Sequence, residues 1–344
     1  MRRLVNIPLI VLMLLLWSGC VFSQDNLQFI NLGNYRLENG QIIRNCRLAY
    51  RTFGVLNTDK SNVVLFPTWL AGTTKDLVDL ELIGPGKLAD SSKYFIVAVD
   101  AFGSGVSSSP SNSKRQPDQS FPPFSIKDMV NVQHLLLAKY LHLTRIHGVI
   151  GMSMGAMMAY QWMISYPDFM NKVVAVVGSP RLTSYDLLLW QTELNVINNA
   201  CARKSKKENT GMKTVAGVHN LHSRTPHYIT ANTPPEYFPQ FLAEAEKSIM
   251  KFNAYDWAWQ LKAIMGHDIY RSFEGEIEPA AKTIRAKALI VWAGQDLTVN
   301  SEPARTLARY LNADTLELQG DCGHLSFLCE NEVLRDKVNQ FLND

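Results

Sequence analysis

Short apolar runs recur along the chain at the length of sheet strands. Val63 to Phe66, Tyr94 to Val99, Ile146 to Ile150, Val173 to Val177 and Ala288 to Trp292 are compact and rich in β-branched residues, while Thr315 to Leu318 alternates more openly. Unbroken apolar runs of this kind suit strands buried on both faces. Between them, Ile126 to Leu141 and Met154 to Ser165 carry helix-like patterns. The alternation predicts an α/β fold, a mostly parallel sheet with helices on both faces. Ahead of it, Phe29 to Tyr50 alternates in short stretches with turn residues at Asn31 to Asn34 and at Asn39-Gly40, which predicts an antiparallel hairpin at a sheet edge.

From residue 184 to 281 the alternation stops. Polar, proline-rich and aromatic sequence, including His219 to Pro239, leads to one helical stretch around Phe252 to Met265, and no fresh series of core strands appears. The segment reads as a helical lid insertion over the carboxyl edge of the sheet, with residues 25–183 and 282–344 forming the core.

The first 23 residues read as an export signal, either a cleaved signal peptide or a lipoprotein signal. Arg2 and Arg3 precede an apolar run from Ile7 to Trp17, followed by the small residues Ser18, Gly19 and Cys20. That run is too short to cross a bilayer, which takes roughly 20 residues. Cys20 stands where a bacterial lipoprotein carries its lipid, although Trp17 departs from the leucine usual three residues earlier. The protein is therefore expected outside the cytoplasm: periplasmic, lipid-anchored or extracellular.

The net charge of +3 falls to +1 once Arg2 and Arg3 are removed, and charged residues are only 19% of the 344. No basic face for nucleic acid is indicated. The five cysteines, Cys20, Cys46, Cys201, Cys322 and Cys329, form no zinc pattern. Cys322 and Cys329 are spaced for a disulfide, yet two reduced, buried cysteines are the preferred reading. Gly84-Pro-Gly lacks the spacing and the lysine-serine ending of a phosphate loop. No metal or redox cofactor is implied, and a homodimer is left open.

Chemistry concentrates at Gly151-Met152-Ser153-Met154-Gly155, where an apolar strand turns directly into a helix. A nucleophile elbow has this form: the glycines relieve crowding in a tight turn, and Ser153 projects from its top. The alternative is a serine that caps the helix start. A serine hydroxyl needs a base near neutral pH. Of eight histidines, His147 lies inside the elbow strand, His134 and His142 on or near a surface helix, and His219, His222, His227 and His267 in the insertion. His324, on the glycine-containing loop after the last strand, is best placed to fold back over the sheet. Asp296 follows the penultimate strand and completes the order Ser153, Asp296, His324; Asp321 and Asp268 are the competing carboxylates. Oxyanion donors are expected from the backbone N–H groups of Met154 and Leu70, with Leu70 as a plain apolar wall the alternative. Asp100 is read as a loop-ordering acceptor. Trp69, Trp190, Trp257 and Trp259 are read as packing residues before pocket residues.

The chain resembles the homoserine O-acetyltransferase branch of the α/β-hydrolase superfamily over nearly its whole mature length. Gly84-Pro-Gly-Lys, Phe121-Pro-Pro, Ser125-Ile-Lys-Asp-Met-Val, Ile150-Gly-Met-Ser-Met-Gly-Ala-Met and Gly323-His-Leu-Ser-Phe-Leu carry the likeness. It implies an α/β-hydrolase fold, Ser153 as nucleophile, Asp296 as acid, His324 as base and Thr68-Trp-Leu-Ala-Gly as the oxyanion loop. In that branch the serine is acetylated by acetyl-CoA and passes the acetyl group to homoserine. Here Leu194 stands where the branch usually has an arginine for the homoserine carboxylate, and Leu325 where it has an acidic residue for the amine. A zwitterion desolvated without partners binds poorly, and acetyl-CoA is cytoplasmic. The expectation is therefore hydrolysis of an ester or related small-molecule acyl substrate, ahead of acyl transfer and of a non-enzymatic binding protein on the same scaffold.

Overall fold

Apolar runs with no polar face must be covered on both sides, and the computed structural model, which describes residues 26–202 and 208–344, shows how. Strands β1 (Gln28–Arg36), β2 (Ile42–Phe53), β3 (Val63–Pro67), β4 (Phe95–Val99), β5 (Ile146–Met152), β6 (Met170–Val176), β7 (Lys287–Ala293) and β8 (Asp314–Leu318) form the main sheet. Their order is β1-β2-β4-β3-β5-β6-β7-β8. β2 runs antiparallel to β1 and β4, and all other pairings are parallel. Along β3, Val63 and Leu65 enter one apolar cluster and Val64 and Phe66 the other.

Helix α1 (Thr74–Asp79) precedes β4, α2 (Ile126–Leu135) precedes β5, and α3 (Met154–Ser165) follows it. Between β6 and β7 come α4 (Ser184–Ala202), α5 (Glu208–Ser223), α6 (Pro226–Asn232), α7 (Phe238–Met250), α8 (Ala254–Met265) and α9 (Ile277–Thr283). Then α10 (Glu302–Leu311), α11 (Ser326–Cys329) and α12 (Asn331–Asn343) complete the chain. α2, α3, α9 and α10 contribute to the cluster on one face, α1 and α12 to that on the other. The fold is thus the expected α/β-hydrolase architecture. The export signal expected over residues 1–23, with Cys20, lies outside the described residues.

Three local expectations change. Asn31 to Asn34 is no turn but lies within β1, where the register shifts around Gly33; its φ of +63° absorbs the irregularity as a bulge. The helix from Ile126 stops at Leu135 and widens into a π turn over Leu136–Tyr140. The insertion holds several helices rather than one. Their apolar residues, Trp190, Leu194 and Ile197 on α4 and Met212, Val215 and Ala216 on α5, follow helical spacing and are buried together. Intervening histidines, asparagines and glycines obscured that spacing.

Cys322 and Cys329 are joined in a disulfide, contrary to the reduced pair expected. A single turn over Gly323–Leu325 followed by α11 brings their Cα atoms to 6.5 Å, within bridging range. The bridge closes a short loop that contains His324. Replacing both cysteines with alanine should lower stability by about 2–3 kcal/mol, the loop-closure entropy restored to the unfolded chain. Urea unfolding monitored with and without a dithiol reductant checks this: the reductant should shift the wild-type midpoint and leave the double variant unmoved.

Candidate active site

β3 and β5 are neighbours, but the chain leaves β3 toward β4 on one side and continues from β5 toward β6 on the other. A crevice at the carboxyl ends of such diverging strands is where open α/β sheets place their chemistry. Ser153 sits there between β5 and α3, with φ 52° and ψ −119°. A non-glycine residue in that region carries strain of about 1–3 kcal/mol, so its surroundings must over-determine it. They do: a Cβ at Gly151 would lie 2.1 Å from the Gly155 carbonyl oxygen, and one at Gly155 would lie 2.7 Å from that of Pro67. A Cβ at Gly178, after β6, would lie 2.4 Å from Ala156 Cβ. Ser153 N–H donates to Val176 O at 2.9 Å, which locks the turn to β6.

His324 Nε2 is 2.9 Å from Ser153 Oγ, and its Nδ1 is 2.7 Å from Asp296 Oδ2. The other Asp296 oxygen accepts from the backbone N–H groups of Thr298 at 2.7 Å and Val299 at 2.9 Å. The carboxylate is thereby held in one orientation, and the imidazole in the tautomer with Nδ1–H, which leaves Nε2 as a proton acceptor. Such a chain can draw the hydroxyl proton from Ser153 as it attacks an acyl carbon.

The loop after β3 is held from three directions. Thr68 Oγ1 accepts from Ala101 N–H at 3.1 Å, Ala71 N–H donates to Gln260 Oε1 on α8 at 2.7 Å, and Asp100 accepts from Thr74 N–H and Oγ1, each at 2.8 Å. Asp100 thus orders this loop as expected. Leu70 and Ser153 line one cavity of about 270 Å³. No other described residue accepts from the backbone N–H of Leu70 or Met154, so both donors remain available to a developing oxyanion.

The competing residues find other partners. His147 bonds to Leu342 O and stacks on Tyr94, His134 stacks on Tyr166, and Asp321 pairs with His227 at 2.7 Å. Asp268 accepts from Tyr270 N–H at 2.9 Å. His267 is buried, and that burial pulls its pKa down to about 3. Trp69, Trp190 and Trp257 line the cavity, while Trp259 instead donates to Phe121 O and stacks with Lys262. Leu325 also lines the cavity; Leu194 is buried within the insertion and does not.

Sequence reasoning missed Glu193. Its fully buried carboxylate on α4 is 3.1 Å from His219 Nδ1 and 3.1 Å from His222 Nε2, both on α5, and accepts from Trp257 Nε1 at 3.0 Å. Burial raises the Glu193 pKa, but the two imidazoles more than offset it and leave the group at about 2. His222 Nδ1 reaches Thr298 Oγ1 at 2.9 Å, two residues from Asp296. At the root of α4, Asp186 likewise accepts from Asn300 N–H at 2.8 Å. Tyr185 on α4 also donates to Leu297 O at 2.9 Å, so the insertion is bonded to the loop that carries Asp296 from both α4 and α5. The signal for this group was the His219–His222 spacing on one helical face.

Residues 63–330 match the model of the alpha/beta hydrolase fold family. The chain is 28% identical to an ethyl acetate hydrolase of Pseudomonas veronii, over 93% of this chain and 96% of that protein. It is 29% identical to a homoserine O-acetyltransferase of Chloroherpeton thalassium, over 93% and 90%. The solved structure of the acetyl esterase MekB superposes with a TM-score of 0.84 at 26% identity, covering 93% of this chain and 96% of that one. With its strand order, its crevice and these likenesses in place, the chain belongs to the alpha/beta hydrolase fold family, in the branch that resembles the homoserine O-acetyltransferases.

Proposed function

We propose that the protein hydrolyses short acyl esters through an acyl-enzyme formed on Ser153. In this reading Ser153 Oγ attacks the ester carbonyl while His324 Nε2 takes its proton. Asp296 stabilises the imidazolium, and the N–H groups of Leu70 and Met154 receive the oxyanion. His324 returns the proton to the departing alcohol, and a water then repeats the sequence to release the acid.

One observation carries water as the acceptor. The cavity around Ser153 is lined by aromatic, aliphatic and neutral polar side chains and by histidine, with no Asp, Glu, Lys or Arg among the described residues. A zwitterionic acceptor would lose two charge-assisted bonds there, each worth about 1.5–3 kcal/mol. Leu325, directly after His324, is one of the neutral positions. At about 270 Å³ the cavity lies just below the usual range of ligand sites, which favours a small ester. The esterase relatives support the same reading. Acyl transfer is the second reading, favoured by the acetyltransferase likeness across most of the chain. The Cys322–Cys329 disulfide supports export, where such bonds persist and acetyl-CoA is absent.

A fluorophosphonate probe should label Ser153, located by peptide mass spectrometry; labelling that persists in Ser153→Ala would contradict the assignment. Asp296→Asn should keep the fold and reduce turnover roughly 10⁴-fold through loss of the tautomer-setting partner. Intact mass of protein from its native host should show loss of the leader near Ser23 or a lipid on Cys20, and retention of Met1 in a cytoplasmic product would rule out export. The deciding assay supplies short acyl esters, then acetyl-CoA with and without homoserine, and follows free acid and O-acetylhomoserine. Ester cleavage insensitive to homoserine is expected; efficient homoserine-dependent transfer with little free acid would overturn the hydrolase reading.

A further inference from the structure

The Glu193 network is one hydrogen short. Thr298 Oγ1 lies 2.9 Å from the His222 carbonyl oxygen and 2.9 Å from His222 Nδ1. A hydroxyl has one proton, and only the hydroxyl can donate to the carbonyl. Nδ1 must then supply the hydrogen of its own bond. In a neutral imidazole that leaves Nε2 bare, with its lone pair facing Glu193 Oε1 at 3.1 Å. Two acceptors meet, and the cluster calls for a cation between them. A second proton on His222 and a bound metal ion are the two ways to supply it.

We propose that Glu193, His219 and His222 form a binding site for a divalent transition-metal ion of the zinc type. One donor atom from each lies within 4.8 Å of the others. Two of the three edges, the Oε1–N separations of 3.1 Å, approach the edge of about 3.3 Å that a tetrahedron has when its ligands stand about 2.0–2.1 Å from zinc, and the third, between the imidazoles, lies within 4.8 Å and has to close as the ion binds. Two imidazoles and a carboxylate suit zinc better than calcium or magnesium, which prefer all-oxygen shells. His219 and His222 are three positions apart on α5, so both present to α4 from one face.

The surroundings are those of a metal site. His222 Nδ1–H is held by Thr298 Oγ1, and Glu193 Oε2 by Trp257 Nε1–H, so two ligands are oriented from outside. His219 is partly exposed and lines the Ser153 cavity, which gives an ion its way in. A bound ion would join α4 to α5 and, through Thr298, to the Asp296 loop. This inference does not depend on whether the acyl group passes to water or to another acceptor.

The test uses purified protein stripped with a chelator and dialysed, then titrated with zinc chloride by calorimetry and with cobalt(II) by visible absorption. One zinc per chain with Kd below about 1 µM is expected, with cobalt bands of tetrahedral intensity. Glu193→Gln and His219→Asn should each weaken zinc at least about 100-fold, while His227→Asn, which removes a surface histidine, should not. His219 is partly exposed, so its variant tests the site even if Glu193→Gln unfolds; circular dichroism distinguishes the two cases. Absence of zinc binding, or binding that survives His219→Asn in a folded protein, would overturn the proposal.

Discussion

Ser153 occupies a backbone conformation that its side chain alone would never choose, and the rest of the site follows from how that conformation is enforced. The turn closes only if β5 passes into α3 without a Cβ at residues 151 and 155, and only if the chain after β6 runs past Ala156 as glycine. Each omitted Cβ lets one backbone segment approach another. The approach of Gly155 to the Pro67 carbonyl also brings the loop after β3 beside the serine, so the clearance that permits the elbow also places Leu70 on the same cavity.

The second organising relation is between the insertion and the acid loop. Asp186 binds Asn300 N–H and His222 reaches Thr298, so α4 and α5 rest on the same short stretch that supplies Asp296. Burying Glu193 would cost several kcal/mol without partners, and three N–H or imidazole groups surround it. A fully buried carboxylate of this kind fixes the relative placement of three helices. The aromatic walls, Trp190 from α4 and Trp257 from α8, are set by the same relation.

Strands and elbow were legible because their signals are local: runs such as Val63 to Phe66 leave no amphipathic alternative, and Gly151 to Gly155 lies directly between a strand and a helix pattern. The place of His324 over Ser153 was legible from its glycine-containing loop after the last strand and from the family resemblance. The insertion was not. Its helices take their stability from mutual packing of Trp190, Leu194, Met212 and Val215, a long-range property, and their local sequence is interrupted by polar residues. Glu193 and His219 are widely separated in the chain, so their pairing had no local mark. The disulfide depended on a turn over Gly323–Leu325 whose geometry spacing alone does not reveal. Leu194 was taken for an acceptor-facing position, but the helical phase of α4 turns it into the core and brings its neighbour Glu193 toward α5.

The attachment of the insertion to the acid loop bears on how the cavity exchanges its contents with solvent. A lid that swung away as one body would have to break the Asp186 and His222 bonds and would carry the Asp296 loop with it. The roots of α4 and α5 are thereby held to the loop that carries Asp296, while Tyr237 and Phe238, at the start of α7, are exposed to solvent. What frames the serine from above is thus anchored to the same backbone that holds Asp296, and the insertion cannot shift at those roots without disturbing both.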